Sequence, residues 1–221
     1  DWTSAKYLGL TLDWDYNART LAVSMPGYVK KALQRFSHPP PDRPQHSPHA
    51  WSRPKHGAKT QFAEPPNNSP PMDSSKTTCL QEVIGTLLFY ARALNSTMLV
   101  CLGTLAAAKT KGTAATTKAC TQLLNYAATH PDAVFHYSAS DMILKLHSDA
   151  SYLSEPEAHS RAGGFHYLGN NQPIVAGDPP ERLNGAILVV SNIMKMVVAS
   201  AAEAELGALF FNGQEATTLR T

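Results

Sequence analysis

Hydrophobic and polar positions change their period several times along the chain, and each change marks an element. Between Tyr7 and Val23 they alternate, with Asp15, Tyr16 and Asn17 supplying turn chemistry between Leu8-Gly9-Leu10 and Leu21-Ala22-Val23. That pattern predicts a hairpin of two strands. After Pro26 and Gly27 the spacing of Tyr28, Val29, Ala32, Leu33 and Phe36 is helical, so a short amphipathic helix is expected over residues 27–37. Its polar face holds Lys30, Lys31 and Arg35. No period survives from Pro39 to Pro71, where Pro, His, Ser and Asn predominate; an extended, poorly ordered connector of polyproline character is expected there. Helical spacing returns at Leu80, Val83, Ile84, Leu87 and Leu88, continues through Met98, Leu99, Leu102 and Leu105, and recurs at Leu123, Leu124 and Ala127. Three packed helices should span residues 77–129. Beyond His130-Pro131-Asp132, the segments 143–150, 160–168 and 186–199 are rich in Val, Ile, Leu, Phe and Tyr, with Gly163-Gly164 and Asn184-Gly185 as breakers. Three strands and a final helix from about Ala201 complete an α/β (α+β) pattern.

Composition narrows the function classes. With 221 residues and 43% hydrophobic content the chain can bury a core. Its net charge of +2 is too small to mark the whole chain as a nucleic-acid binder. Cys79, Cys101 and Cys120 are odd in number and lack a CxxC spacing, which argues against a disulfide framework or zinc site and for buried structural thiols. His46, His49 and His56 lie in the connector without a carboxylate or Cys at ligand spacing, and read as solvated loop side chains. No apolar run reaches the length of a membrane helix and no signal core is present, so an intracellular protein without a membrane partner is expected. The chain starts at Asp1 and stops at Thr221 within a helix-like stretch, and both ends are expected to be cut.

The candidate chemistry is carboxylate chemistry. Asp149 ends an apolar strand, where a carboxylate must be solvated, paired or metal-bound. Ser200 is a natural N-cap with Glu203 in the capping-box position, so Glu203 has a structural task. Residues two apart on a helix point to nearly opposite sides, which makes Glu205 the better partner for Asp149. Carboxylates converging from a strand and a helix suit hard cations such as Mg²⁺.

Several segments then resemble the Pol region of copia-type (Pseudoviridae-like) retrotransposons. Tyr7-Leu8-Gly9-Leu10 with Leu21-Ala22-Val23-Ser24 is similar to the strand pair after the polymerase YxDD loop, and Tyr28-Val29-Lys30-Lys31-Ala32-Leu33 to the start of the thumb. Glu82-Val83-Ile84-Gly85-Thr86-Leu87-Leu88-Phe89-Tyr90 resembles the family's "VGxLLYL" helix, and Leu123-Leu124-Asn125-Tyr126 its "LRYLKGT" helix. Ser148-Asp149-Ala150-Ser151 is similar to "SDADWAG", Ser160-Arg161-Ala162-Gly163-Gly164 to "RRSTSGY", and Ser200-Ala201-Ala202-Glu203-Ala204-Glu205 to "SSTEAEY". The order of these last three is the most specific part. The chain departs from the family at Val189 to Ile193, where "WxSKKQ" is expected, and at Tyr152, which replaces the tryptophan of "DADWAG".

The resemblance implies four stretches: 1–38, the end of the reverse transcriptase palm and start of its thumb; 39–76, the Pro/His-rich connector; 77–132, a helical connection; and 133–221, the first part of an RNase H-like mixed sheet with its helix. It implies a parent nuclease that hydrolyses the RNA strand of RNA–DNA hybrids by two-metal Mg²⁺ catalysis, with Asp149 and Glu205 as catalytic and metal-binding residues. The YxDD residues lie upstream and the remaining RNase H carboxylates downstream, so this chain is expected to be inactive alone, partnered by the rest of the polyprotein and by RNA–DNA hybrid or DNA. The alternative is a non-catalytic nucleic-acid-binding or scaffold protein of retroelement origin, holding phosphates through Lys30, Lys31 and Arg35, with Lys109, Lys111 and Lys118 as further cations. A third reading is an unselected reading frame whose local patterns outlive its domain.

Overall fold

Local turn chemistry shapes the first strands. In the computed structural model, which describes residues 4–50, 69–108, 110–171 and 183–220, Leu8 and Gly9 both take positive φ, 49° and 85°. They form a two-residue turn between β1 (Ser4–Tyr7) and β2 (Leu10–Asp15). The primed turns that join such short loops need this left-handed backbone, and the strand expected through Leu8-Gly9-Leu10 is broken there. The predicted turn at Asp15 is present: its Oδ1 accepts from the Asn17 and Ala18 N–H groups at 2.8 and 2.9 Å. β3 (Thr20–Ser24) follows, and then pairs with a strand more than a hundred residues away, β4 (Val134–Ser138), with Val23 opposite Phe135. β4 is absent from the expectations above.

The chain accordingly divides into two units, one of the N-terminal strands to Ser24 together with Val134 onward, the other Met25–Ala133. The hairpin and the helix that follows it, contiguous in sequence, belong to different units. The first unit has a four-stranded sheet in the order β1-β2-β3-β4 and a three-stranded sheet β5-β6-β7, built of β5 (Ile143–Glu155), β6 (His159–Gly169) and β7 (Ala186–Ile193). Every described pairing is antiparallel, so the mixed sheet expected is corrected to an antiparallel one. β5 and β6 are joined by the short turn at Pro156–Ala158, not by the long crossover that a parallel pair requires.

The second unit is helical: α1 (Tyr28–Arg35), α2 (Ser74–Ala93), α3 (Leu99–Ala108) and α4 (Ala114–Thr129). The predicted apolar stripes become its core, with Leu80, Val83, Leu87, Met98, Leu102, Leu105 and Leu123 almost wholly buried. Asp73 starts α2 by accepting from the Lys76 N–H, a bond that lowers its carboxyl pKa. Thr113 and Thr116 cap α4 reciprocally. Tyr90 is fully buried, stacked on Tyr28 with ring centroids 5.6 Å apart. Its hydroxyl donates to the Pro131 carbonyl at 3.0 Å and accepts from the Ala133 N–H at 2.8 Å, holding the exit from α4.

Residues 39–50 carry no regular element, as their composition requires, yet they are fastened rather than loose. The Gln45 N–H donates to Thr129 Oγ1 at 2.9 Å, and Gln122 Nε2 donates to the Ser47 carbonyl at 2.8 Å. Polar side chains of α4 thus pair with backbone groups for which an extended strap has no helix or ladder partner. His46 Nδ1 lies 3.1 Å from His130 Nε2, and His49 donates its N–H to Ser47 Oγ. His56 and residues 51–68 lie outside the described residues.

Two of the three thiols are buried, Cys101 and Cys120, while Cys79 is exposed on α2. Burial pushes Cys101 up to about 11; burial, with the Cys79 and Cys101 thiols nearby, pushes Cys120 up to about 12. Because both folded values exceed the ordinary thiol value of 9.0, this contribution to stability is complete below pH 9 and is lost as pH rises towards 11 and 12. A thiol reagent at mildly alkaline pH should therefore modify Cys79 rapidly and the other two only on unfolding; rapid modification of all three contradicts the packing. Tyr90→Phe removes both hydroxyl bonds and should lower stability by about 1–2 kcal/mol in denaturant titrations.

Candidate functional site

The two carboxylates singled out by sequence sit on β5 and on α5 (Ala201–Arg220), the helix packed against β5 and β6. Strand pleating decides where the first one points. Ser148 Oγ accepts from Asn212 Nδ2 of α5 at 3.0 Å, so Ser148 faces the helix. Successive strand residues face opposite ways, and pairing is continuous from Ile143 to Ser151, so Asp149 lies on the face turned away from α5. It is exposed, and its Oδ1 accepts from the Ala150 N–H at 2.9 Å. Its partner across the ladder is Gly163.

The start of α5 follows the predicted capping logic with one shift. Ser200 Oγ accepts from the Glu203 N–H at 3.1 Å, and Glu203 Oε2 accepts in return from the Ala199 N–H at 2.7 Å, one residue before the group expected. Ala204, Ala208 and Asn212, four residues apart, face the sheet and are completely buried. Glu205 stands beside that stripe and is exposed.

Asp149 and Glu205 are thus not brought together. Mg²⁺ demands near-octahedral oxygen ligation at about 2.0–2.1 Å. Asp149 lies on the face of β5 turned away from α5, and Glu205 on the helix that covers the other face. Among the described residues no group of three or more His, Cys, Asp and Glu is placed to hold a metal ion. The two residues present do not fit a two-metal Mg²⁺ site.

What does converge is a polar cluster that sequence reasoning missed. Asn212 Nδ2 lies within 3.0 Å of three acceptors, Ser148 Oγ and the Gly163 and Ala208 carbonyls, which share its two protons, and its Oδ1 lies 3.1 Å from His166 Nε2. That contact places the ring proton on Nε2. His166 is fully buried, and its Nδ1 has no hydrogen-bond partner among the described residues. The backbone at Gly164 passes so close to Asn212 that a Cβ there would collide with the carboxamide. The only sequence signal was a polar residue in register with Ala204 and Ala208 on an alanine stripe. Tyr152, where the family pattern has tryptophan, donates its hydroxyl to the Ala199 carbonyl at 2.9 Å and ties β5 to the entry of α5.

On the face of the sheet that Asp149 shares, Arg161 Nε lies 2.6 Å from Glu155 Oε1, both side chains nearly buried, and Nη1 donates to Ser191 Oγ at 3.2 Å. A desolvated pair of this kind fixes geometry more than it adds stability. Of the cations proposed for phosphate, Lys30 and Lys31 are exposed on α1, whereas Arg35 pairs with Glu82 at 3.2 Å across the surface. Lys111 and Lys118 are exposed, and Lys109 lies outside the described residues.

In comparisons with known proteins, no family model, no curated protein and no solved structure matches this chain. The Asn212 cluster is testable by a double-mutant cycle. Gly164→Ala should cost about 1–3 kcal/mol by overpacking. In combination with Asn212→Ala its further cost should shrink, because the colliding carboxamide is gone; strictly additive losses in denaturant titrations would show that the two do not touch.

Proposed function

We propose that this chain is part of a copia-type retrotransposon Pol polyprotein, joining the end of a reverse transcriptase to the first part of an RNase H-like domain, and that alone it serves as scaffold rather than nuclease. One observation carries the reading: the three motif segments that are most specific in sequence assemble into a single packed unit. Asp149 of the first lies opposite Gly163 of the second. The Ser160 carbonyl of the second accepts from the Met194 N–H at 2.8 Å, just after β7. The helix opened by the third sends Asn212 to both Ser148 and Gly163.

Hydrolysis of RNA in RNA–DNA hybrids with Mg²⁺ is the activity the resemblance implies for the parent protein. The scaffold assignment for this chain rests on the separation of Asp149, on the face of β5 turned away from α5, from Glu205 on that helix, since two-metal hydrolysis needs carboxylates gathered around two ions only about 3.5–4 Å apart. A second reading, phosphate binding without catalysis, is favoured only by the exposed Lys30 and Lys31 on one helix.

The test incubates the purified chain with a labelled RNA–DNA hybrid and Mg²⁺ beside Asp149→Asn and Glu205→Gln. No cleavage above background is expected from any of the three. Cleavage by the unmodified chain that both substitutions abolish overturns the scaffold assignment. Salt-sensitive retention of the same hybrid, lost in Lys30→Glu/Lys31→Glu, would support the second reading.

A further inference from the structure

With Ala204, Ala208 and Asn212 turned to the sheet, the side of α5 half a turn away is fixed by helix geometry. It holds Leu206 and Phe210, which are 66% and 67% exposed, followed by Gly213 and Thr217. Glu203 precedes this stripe and Arg220 ends it, both exposed. Apolar side chains of this size are seldom left in water as a contiguous stripe unless something docks there.

The order of residues along the stripe identifies the partner. Glu203, Leu206, Phe210, Gly213, Thr217 and Arg220 are separated by steps that alternate between three and four residues and read the same in both directions. An identical helix laid antiparallel, centred between Phe211 and Asn212, brings Glu203 against Arg220, Leu206 against Thr217 and Phe210 against Gly213. Opposite charges then meet at both ends, and the largest side chain meets a residue with no side chain. A Cβ built on Gly213 would have nothing within 4 Å, so space for the Phe210 ring is open. A parallel copy would instead set Glu203 on Glu203 and Phe210 on Phe210.

We propose that the outward face of α5 is a self-association surface, on which a second copy of this chain docks antiparallel about a twofold axis. Such an isologous pair satisfies each contact twice. The apolar centre supplies affinity, and the Glu203–Arg220 contacts select direction. The cap bond of Glu203 uses Oε2 and does not compete for the whole carboxylate. This inference is independent of the retroelement reading, since it uses only the helix and its exposure.

Sedimentation of the full chain from micromolar to submillimolar concentration should show a reversible monomer–dimer equilibrium. Phe210→Glu, at an exposed position, should remain monomeric at a tenfold higher concentration with unchanged circular dichroism, and Arg220→Glu should weaken association at low salt. Direction is read by disulfide trapping in a Cys79→Ser background. Leu206→Cys and Thr217→Cys chains should cross-link when mixed, and neither should cross-link with itself. A chain monomeric throughout, a dimer indifferent to Phe210→Glu, or self-cross-linking of Leu206→Cys would each overturn the proposal.

Discussion

The carboxamide of Asn212 holds α5 to its sheet, and the placement of the side chains on β5 and α5 depends on that contact. Its two protons are shared among Ser148 Oγ and the Gly163 and Ala208 carbonyls, and its oxygen meets His166 Nε2. A buried amide left unpaired is costly, so the helix can neither rotate nor slide without breaking the contacts to Ser148, Gly163 and His166 of the sheet. Ala204 and Ala208 let the helix approach, and the missing side chain at Gly164 leaves room for the carboxamide.

The same contact governs the candidate chemistry. Once Ser148 is engaged by the helix, strand pleating turns Asp149 to the other face, and once Ala204 is buried, Glu205 is displaced to the flank. A slip of one residue in β5 would exchange the faces of every side chain on it, which is why a motif quoted as a string of letters does not by itself locate its carboxylate. It also fixes which side of α5 is outward, and so sets Leu206 and Phe210 in solvent beside Glu203 and Arg220.

In the helical unit a single tyrosine has a comparable place. Tyr90 joins the α2 core to the backbone leaving α4 through two hydrogen bonds while its ring stacks on Tyr28. The strap 39–50 is pinned on α4 by Thr129 and Gln122. Its prolines and histidines explain the lack of regular structure and say nothing about where it is fastened, since those partners lie about eighty residues away.

The sequence by itself determined what depends on neighbours a few residues apart. It marked the helices of the 25–133 unit from their apolar stripes, the turn at Asp15, the cap formed by Ser200 and Glu203, and strands at 143–150 and 160–168, of which the first runs on to Glu155 and the second spans His159–Gly169. Local spacing sets these because helix and strand periods and cap hydrogen bonds close within one or two turns of chain. Tertiary structure alone decided the pairing of β3 with β4, the antiparallel order of the second sheet, the fastening of the strap, and the separation of Asp149 from Glu205. Those outcomes turn on which face meets which across long sequence separations. A polar residue such as Asn212 leaves no periodic trace of that choice.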